Sequence, residues 1–376
     1  MILSFQSIVR RGQWPRGCRH FGRAIKSFRG LSSTATPTSP VVTLGIMRET
    51  YDPWERRCPL TPNHVKELLQ KRSNVRVLIQ PCHRRVFPPN EYEEAGAILT
   101  NDLSPADLII GVKRPADEGM LIPHKTYMFF SHTIKGQPEN IPLLRACLEE
   151  NIQLMDYERL LDDTTQGENK LKRLVSFGRF AGLAGTIDTL HGLGRRLLTE
   201  GHSTPLLSCP PAILCDDLAQ AEDRLHQIGQ RIATQGLHRD EPLVISITGQ
   251  GGCVHGGVME ILDLLPHETV SVDDLPHLFS TEASETIQHK LYLLPLSIQD
   301  AFENKDGRSF DRTEFQTQPA HYQSVMAKKV IPYTTTLINC AYWDPRFPRL
   351  LSKDELRALY NDGQKRYVHA SNVLQL

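Results

Sequence analysis

The sequence predicts an α/β protein of two domains, each built on a mainly parallel sheet. Three observations point to it. The chain has 376 residues, room for two domains of ordinary size. Apolar runs alternate with amphipathic patterns from residue 42 to residue 156, the rhythm of strand–helix–strand units. At 242, "PLVISITGQGGCVHGGVMEILDLL" joins a continuous apolar run to a glycine-rich turn and a helical pattern. That is the order in which amides at a helix N-terminus hold a dinucleotide pyrophosphate.

Each element follows from local chemistry. "VTLGIM" at 42–47 is a short apolar strand, and Thr61-Pro62-Asn63 opens a helix with Val65, Leu68 and Leu69 at helical spacing. "VRVLIQP" is a strand, "PNEYEEAGAIL" a short helix running into another, and "ADLIIGVK" and "TYMFFSH" are two more. The helix "NIPLLRACLEEN" and the strand "IQLMDYE" follow, then a polar loop or hairpin at 162–173. "FGRFAGLAGTIDTLHGLGRRLLTEG" is one long helix whose Gly178, Ala181, Gly182 and Gly185 permit close approach of a neighbour. The domain limits expected from this pattern are 41–205 for the first domain, 206–241 for a linker and amphipathic helix, and 242–376 for the dinucleotide domain. The stretch 273–325 reads as strand-poor, and the end of the chain as a polar tail.

Composition narrows the function classes. Hydrophobic residues make up 40% and charged residues 23%, enough for real cores, and no apolar run approaches the length of a membrane span. Residues 1–40 hold seven basic residues and no acid, and close on the Ser/Thr-rich "LSSTATPTSP". That composition predicts a mitochondrial transit peptide and a matrix location. Setting those seven aside leaves 36 basic against 43 acidic residues, a net of −7, a poor match for a nucleic-acid backbone. The eight cysteines show neither CxxC nor zinc-finger spacing and read as free thiols, with no metal site.

Two strands end on groups that carry protons. "LIIGVKRP" closes on Lys113 and Arg114, and "YMFFSHTIK" on His132. In the second domain Gly249 and Gly251 match the first two positions of G-x-G-x-x-G, Val254 breaks the third, and Gly252 and Cys253 complete the turn. The second strand of such a domain should end near the adenosine ribose. The reading places Ser271, at the end of "ETVSV", in that position. A hydroxyl there in place of an acid is compatible with NADP. Asn339, at the end of "VIPYTTTLINC", falls on the nicotinamide side.

Several ordered stretches carry a resemblance: "WERRCPLTPNHVKEL", "VLIQPCHRRVF", "LIIGVKRP", "YMFFSHTIKGQPEN", "FGRFAGLAG" and "YTTTLINCAYWDPRFPRLL". They are similar to the lysine–ketoglutarate reductase half of the α-aminoadipic semialdehyde synthases. The wider likeness is to the saccharopine dehydrogenases and to the N-terminal domain of alanine dehydrogenase and transhydrogenase (PNT). The resemblance implies an alanine dehydrogenase/PNT N-terminal-like α/β domain followed by a Rossmann-like dinucleotide-binding domain that is expected to be truncated here. It also implies formation of saccharopine from L-lysine, 2-oxoglutarate and NADPH.

The matching positions make Lys113 and His132 the acid/base pair and Arg57 a contact for a substrate carboxylate, with Glu55 beside it. Gln137, Arg173 and Phe177 match positions that bind the product, Glu158 an acid near the lysine, and Lys172 an arginine that touches the cofactor. Arg114 stands where the fungal enzymes have an acid. Relatives of this kind continue beyond the dinucleotide domain, so the chain is expected to be an incomplete version. The competing reading is a catalytically incomplete fragment that binds ligand or a full-length subunit. No nucleic-acid or membrane partner is expected, and a homo-oligomer is left open.

Overall fold

The structure, a computed structural model, describes residues 40–162, 173–280, 285–343, 345–361 and 369–372. The expected transit peptide and Lys172 fall outside them. The chain divides into two compact units, the first closing at Ser176 and the second opening at Phe177.

The first unit is doubly wound. Its strands β1 (Val42–Ile46), β2 (Val75–Ile79), β3 (Ile98–Leu99), β4 (Leu108–Lys113), β5 (Thr126–Phe130) and β6 (Gln153–Asp156) form one sheet, in the order β3-β2-β1-β4-β5-β6. Every pairing in it is parallel. Helices α1 (Pro62–Lys71), α2 (Pro89–Glu94) and α3 (Ile141–Glu149) connect them.

Because side chains alternate along a strand, Ile109, Tyr127 and Phe129 enter one core while Ile110 and Met128 enter the other. Helix α1 starts as the sequence predicts. The Thr61 hydroxyl accepts from the His64 N–H, the His64 ring accepts from the Thr61 N–H, and Pro62 occupies a first-turn position that needs no donor. Strand order reverses between β1 and β4. Their C-terminal ends therefore part, and in such sheets the gap is where ligands sit.

The second unit carries helices α4 (Gly178–Thr199) and α5 (Leu218–Gln235), then β7 (Val244–Thr248), α6 (Cys253–Leu262), β8 (His267–Thr269) and α7 (Leu275–Ser280). Strand β9 (Leu291–Leu296), α8 (Ile298–Ala301), β10 (Phe302–Asn304), α9 (Arg312–Thr317), β11 (Tyr322–Ser324) and α10 (Met326–Lys329) follow. The unit closes with β12 (Thr336–Asn339), α11 (Lys353–Asn361) and β13 (His369–Asn372). Its sheet runs β13-β12-β7-β9-β8 and is parallel throughout, while β10 and β11 pair apart from it.

Three expectations are corrected here. The unit boundary falls at Ser176, not at 205, because α4 packs on α6. A Cβ on Gly182 would come within 2.2 Å of the Val254 carbonyl oxygen, and one on Gly257 within 2.1 Å of that of Arg179. Only glycine admits such backbone contact, which commits α4 to the second unit. The stretch 273–325 is not strand-poor, since it contains β9, β10 and β11. And within the stretch read as a polar tail, residues 369–372 form a strand beside β12.

Candidate functional site

In the first unit the chemistry gathers at the ends of β1, β4 and β5. Beside the C-terminus of β4, Lys113 Nζ lies 3.0 Å from Asp52 Oδ2 and 3.7 Å from Glu55 Oε2. Glu55 is buried and holds Arg57 in a two-point grip, Nε to Oε1 at 2.8 Å and Nη2 to Oε2 at 2.7 Å, with the Arg57 N–H also donating. Burial pushes the Glu55 carboxyl up, but the guanidinium and N–H of Arg57 and the charge on Lys113 together hold it below the ordinary carboxylate range. Asp52 is held low chiefly by the Trp54 N–H and then by Lys113.

A second chain of contacts follows β5. Its last residue stands opposite Lys113 in the parallel register, Phe130 facing Lys113. Two residues on, His132 adopts a left-handed conformation, φ 55°, and its Nδ1 lies 2.9 Å from Glu158 Oε2. Glu158 is buried, and its other oxygen accepts from Arg173 Nη1 at 3.1 Å. The Phe130 and His132 rings are stacked with their centroids 6.3 Å apart. A buried carboxylate on Nδ1 sets the orientation of the ring.

The two chains share one design. Lys113–Glu55–Arg57 and His132–Glu158–Arg173 each run from a proton carrier, through a buried carboxylate, to an arginine. Of the residues named from the sequence, these six are brought together in two triads. Gln137 is exposed and caps the following turn, its Oε1 3.4 Å from Asn140 Nδ2. Phe177 opens the second unit, with its ring edge-on to Phe180. Arg114 packs over the Tyr51 ring and pairs with Glu118.

Sequence reasoning missed Glu49 and Asp52. Both lie in the loop leaving β1 at the strand-order reversal, and that position was the signal that would have found them.

In the second unit the glycine-rich turn follows β7, also at a reversal of strand order. Gly249 has φ +74°, and a Cβ there would meet the Cys340 main chain at 2.8 Å; Gly251 has φ +83° and opens onto free space. Gly252 caps α6 without a side-chain bond, so the first amides of this ten-residue helix are left for a ligand. Beside them Asn339 Oδ1 accepts from the Thr248 hydroxyl at 2.6 Å and from the Ala341 N–H at 3.2 Å. That directs its amide NH2 as a donor. The turn fits the pyrophosphate of a nicotinamide dinucleotide.

The place expected for Ser271 is corrected. Strand β8 is not beside β7, because β9 lies between them. The strand end next to the turn is Leu296, whose carbonyl accepts from the Gln250 N–H, and the residue following it is Ser297. At both strand ends a serine closes on an acid three residues on. Ser271 N and Oγ donate to Asp274 Oδ2, and Ser297 N and Oγ to Asp300 Oδ2.

Comparison with known proteins agrees with this architecture. Residues 45–181 match the alanine dehydrogenase/PNT N-terminal domain family. Over 333 residues, 85% of the chain, it is 41% identical to an alpha-aminoadipic semialdehyde synthase of Arabidopsis thaliana, of which the match covers 30%. Identity to the mitochondrial alpha-aminoadipic semialdehyde synthase of Bos taurus is 38% over 322 residues, 85% of this chain and 33% of that one. A saccharopine dehydrogenase (NAD(+), L-lysine-forming) of Candida glabrata is 34% identical over 238 residues, 61% of this chain and 59% of that one. The chain thus spans about a third of the length of the synthases it matches.

Proposed function

From a chain homologous to the alpha-aminoadipic semialdehyde synthases and carrying an alanine dehydrogenase/PNT N-terminal domain at residues 45–181, we propose a lysine–2-oxoglutarate reductase that forms saccharopine. The observation that carries this reading is the pair of triads. Joining an amino acid to a keto acid needs two carboxylate-binding cations and two proton carriers, and Arg57, Arg173, Lys113 and His132 supply them. Arginine's planar fork matches a carboxylate in a bidentate manner. Arg57 is held along one edge by two bonds to the buried Glu55, and Arg173 by one bond from Nη1 to the buried Glu158.

The lysine ε-amine attacks the ketone carbon of 2-oxoglutarate. His132 Nε2, oriented by Glu158 on Nδ1, takes the proton released from nitrogen. Lys113, as an ammonium beside Asp52 and Glu55, donates to the carbinolamine oxygen as water leaves and the imine forms. A bound reduced nicotinamide dinucleotide would supply the hydride for the imine carbon. The first unit's residues would bind, orient and move protons, and Gly249, Gly251, Gly252 and Cys253 of the second would hold the cofactor pyrophosphate, with Asn339 as a further donor.

NADPH is the form proposed. At the end of β9, the strand beside β7, Ser297 is presented, and the neighbouring Asp300 carboxylate is turned back onto that serine. The composition of residues 1–40 and the mitochondrial names of the mammalian relatives support a mitochondrial matrix location. Detection only in a cytosolic fraction would remove that part of the reading. The activity test is NADPH oxidation by the purified chain with L-lysine and 2-oxoglutarate together and with each omitted. Oxidation that needs both supports the reductase. Ligand binding without turnover would favour a catalytically incomplete chain.

A further inference from the structure

Glu49 is buried in the loop leaving β1 and belongs to neither triad. Its carboxylate accepts the main-chain N–H of Val112 through Oε1 at 2.7 Å and that of Lys113 through Oε2 at 3.0 Å. Those two amides lie where the sheet gives way. Pairing of β1 with β4 ends at Ile46 and Ile110, and the register of β4 against β5 shifts between Ile110 and Lys113. A buried N–H must find an acceptor. Here one side chain substitutes for a strand across the last two residues of β4.

The loop bearing Glu49 is itself fastened. Arg85, buried, donates to the Met47 carbonyl at 2.9 Å, Arg84 donates to the Glu49 carbonyl at 2.5 Å, and the Thr50 hydroxyl accepts from the Ala116 N–H.

We propose that Glu49 is the positioning residue for Lys113: by holding both terminal amides of β4 it sets the direction in which the lysine side chain leaves the sheet, and so its approach to Asp52 and Glu55. The inference rests on the reading of Lys113 as a proton carrier. Both carboxylate oxygens are acceptors, so Glu49→Gln leaves one amide facing an NH2 donor, while Glu49→Asp keeps two acceptors on a shorter arm.

Charged and titratable groups bear on Glu49 from several elements: Glu55 and Lys113, the guanidinium of Arg85, and more distantly Arg57, Cys58 and Tyr157. Burial pushes the Glu49 carboxyl up, opposed by the two amides it accepts, and by Arg85 against the charge of Glu55. Protonation would convert an acceptor into a donor and release one amide.

The test compares the unmodified chain with Glu49→Gln and Glu49→Asp. In Glu49→Gln, kcat should fall by about 10- to 100-fold while KM for both substrates changes by less than about threefold. The limb of the pH–rate profile assigned to Lys113 should move, and Glu49→Asp should recover part of both effects.

The rate at which an amine reagent labels Lys113 across pH, read by peptide mass spectrometry, needs no turnover. A changed labelling profile in Glu49→Gln supports the inference even if the chain proves not to be a reductase. An unchanged profile overturns it whatever happens to kcat. Should neither variant fold, hydrogen exchange in the unmodified chain decides: protection of the Val112 and Lys113 amides, relative to their intrinsic rates, that is lost on acidification supports the carboxylate as their partner, and no protection at neutral pH overturns it.

Discussion

His132 holds a left-handed backbone, φ 55°, a conformation that costs a non-glycine residue about 1–2 kcal/mol. The bond from its ring to Glu158 and the stacking of Phe130 help offset that cost. Replacing Glu158 by Gln removes the charge that orients the ring and leaves Arg173 facing an amide. We expect kcat to fall by about 10²-fold or more, with a KM increase for the substrate whose carboxylate Arg173 holds, read by steady-state kinetics. Glu55 gives the pH signature. Its folded pKa is depressed, so its stabilisation is fully present above the unfolded value, about 4.3, and is lost as pH falls through the folded one. Glu49 has the opposite sign: its raised pKa favours the folded state at low pH and works against it as pH rises through the folded value. Thermal melting from pH 6 to about pH 3 should show Tm falling at the acid end, less steeply in Glu55→Gln. At neutral pH that variant should lose about 3 kcal/mol in urea unfolding, because Lys113 and Arg57 lose a buried partner.

Helix α4 shows how one element decides a domain boundary. Gly182 meets the backbone of α6, whereas Gly192, ten residues along the same helix, has nothing within 4 Å of a Cβ. Gly182→Ala should therefore cost about 3 kcal/mol or more as the helices are forced apart, and Gly192→Ala should gain about 0.5–1 kcal/mol. Equal effects in chemical unfolding would mean that α4 does not rest on α6. The small-residue stripe was legible in the sequence, but the partner it faces was not, since spacing alone cannot distinguish a helix from a sheet. The strands of the first unit were legible from their apolar runs, and with them the ends that carry Lys113 and His132. Strand β9 was hidden by Pro295, a residue that central strands exclude. The structure accommodates it because Leu291 N donates toward β8 and Tyr292 N toward β7, so position 295 faces the β8 side. There the ladder closes, its last pairing being Thr269 with Leu293 and its last bond running from the Val270 N–H to the Leu293 carbonyl, so the missing N–H falls at the end of the pairing. Glu49 and Asp52 stayed hidden because a lone acid in a loop has no period to betray it.

At the scale of the molecule, both units place their chemistry at the same topological position, the C-terminal ends of parallel strands where strand order reverses. In the first the gap between β1 and β4 receives Glu49 and Lys113; in the second the gap between β7 and β12 receives Gly249 and Asn339. Backbone amides that diverge there cannot satisfy one another, so side chains or ligands must serve them. That logic governs the cofactor prediction. In the proposed binding mode the adenosine side would be bounded by Ser297 after β9, not by Ser271, and Asp300 accepts from Ser297's own N–H and O–H. A carboxylate committed in this way repels a 2′-phosphate less than one aimed at the ribose. Calorimetric titration of the full chain should therefore give tighter binding of NADPH than of NADH. Ser297→Ala should free Asp300 and shift preference toward NADH by about 10-fold, equivalent to roughly 1.4 kcal/mol. Ser271→Ala, one strand further out, should leave the ratio within about twofold. Gly249→Ala should abolish binding of both, because a Cβ there meets the Cys340 main chain and the left-handed turn is strained. Tight NADH binding without response to NADPH would overturn the cofactor choice. A ratio that responds to Ser271 and not to Ser297 would overturn the strand order on which it depends.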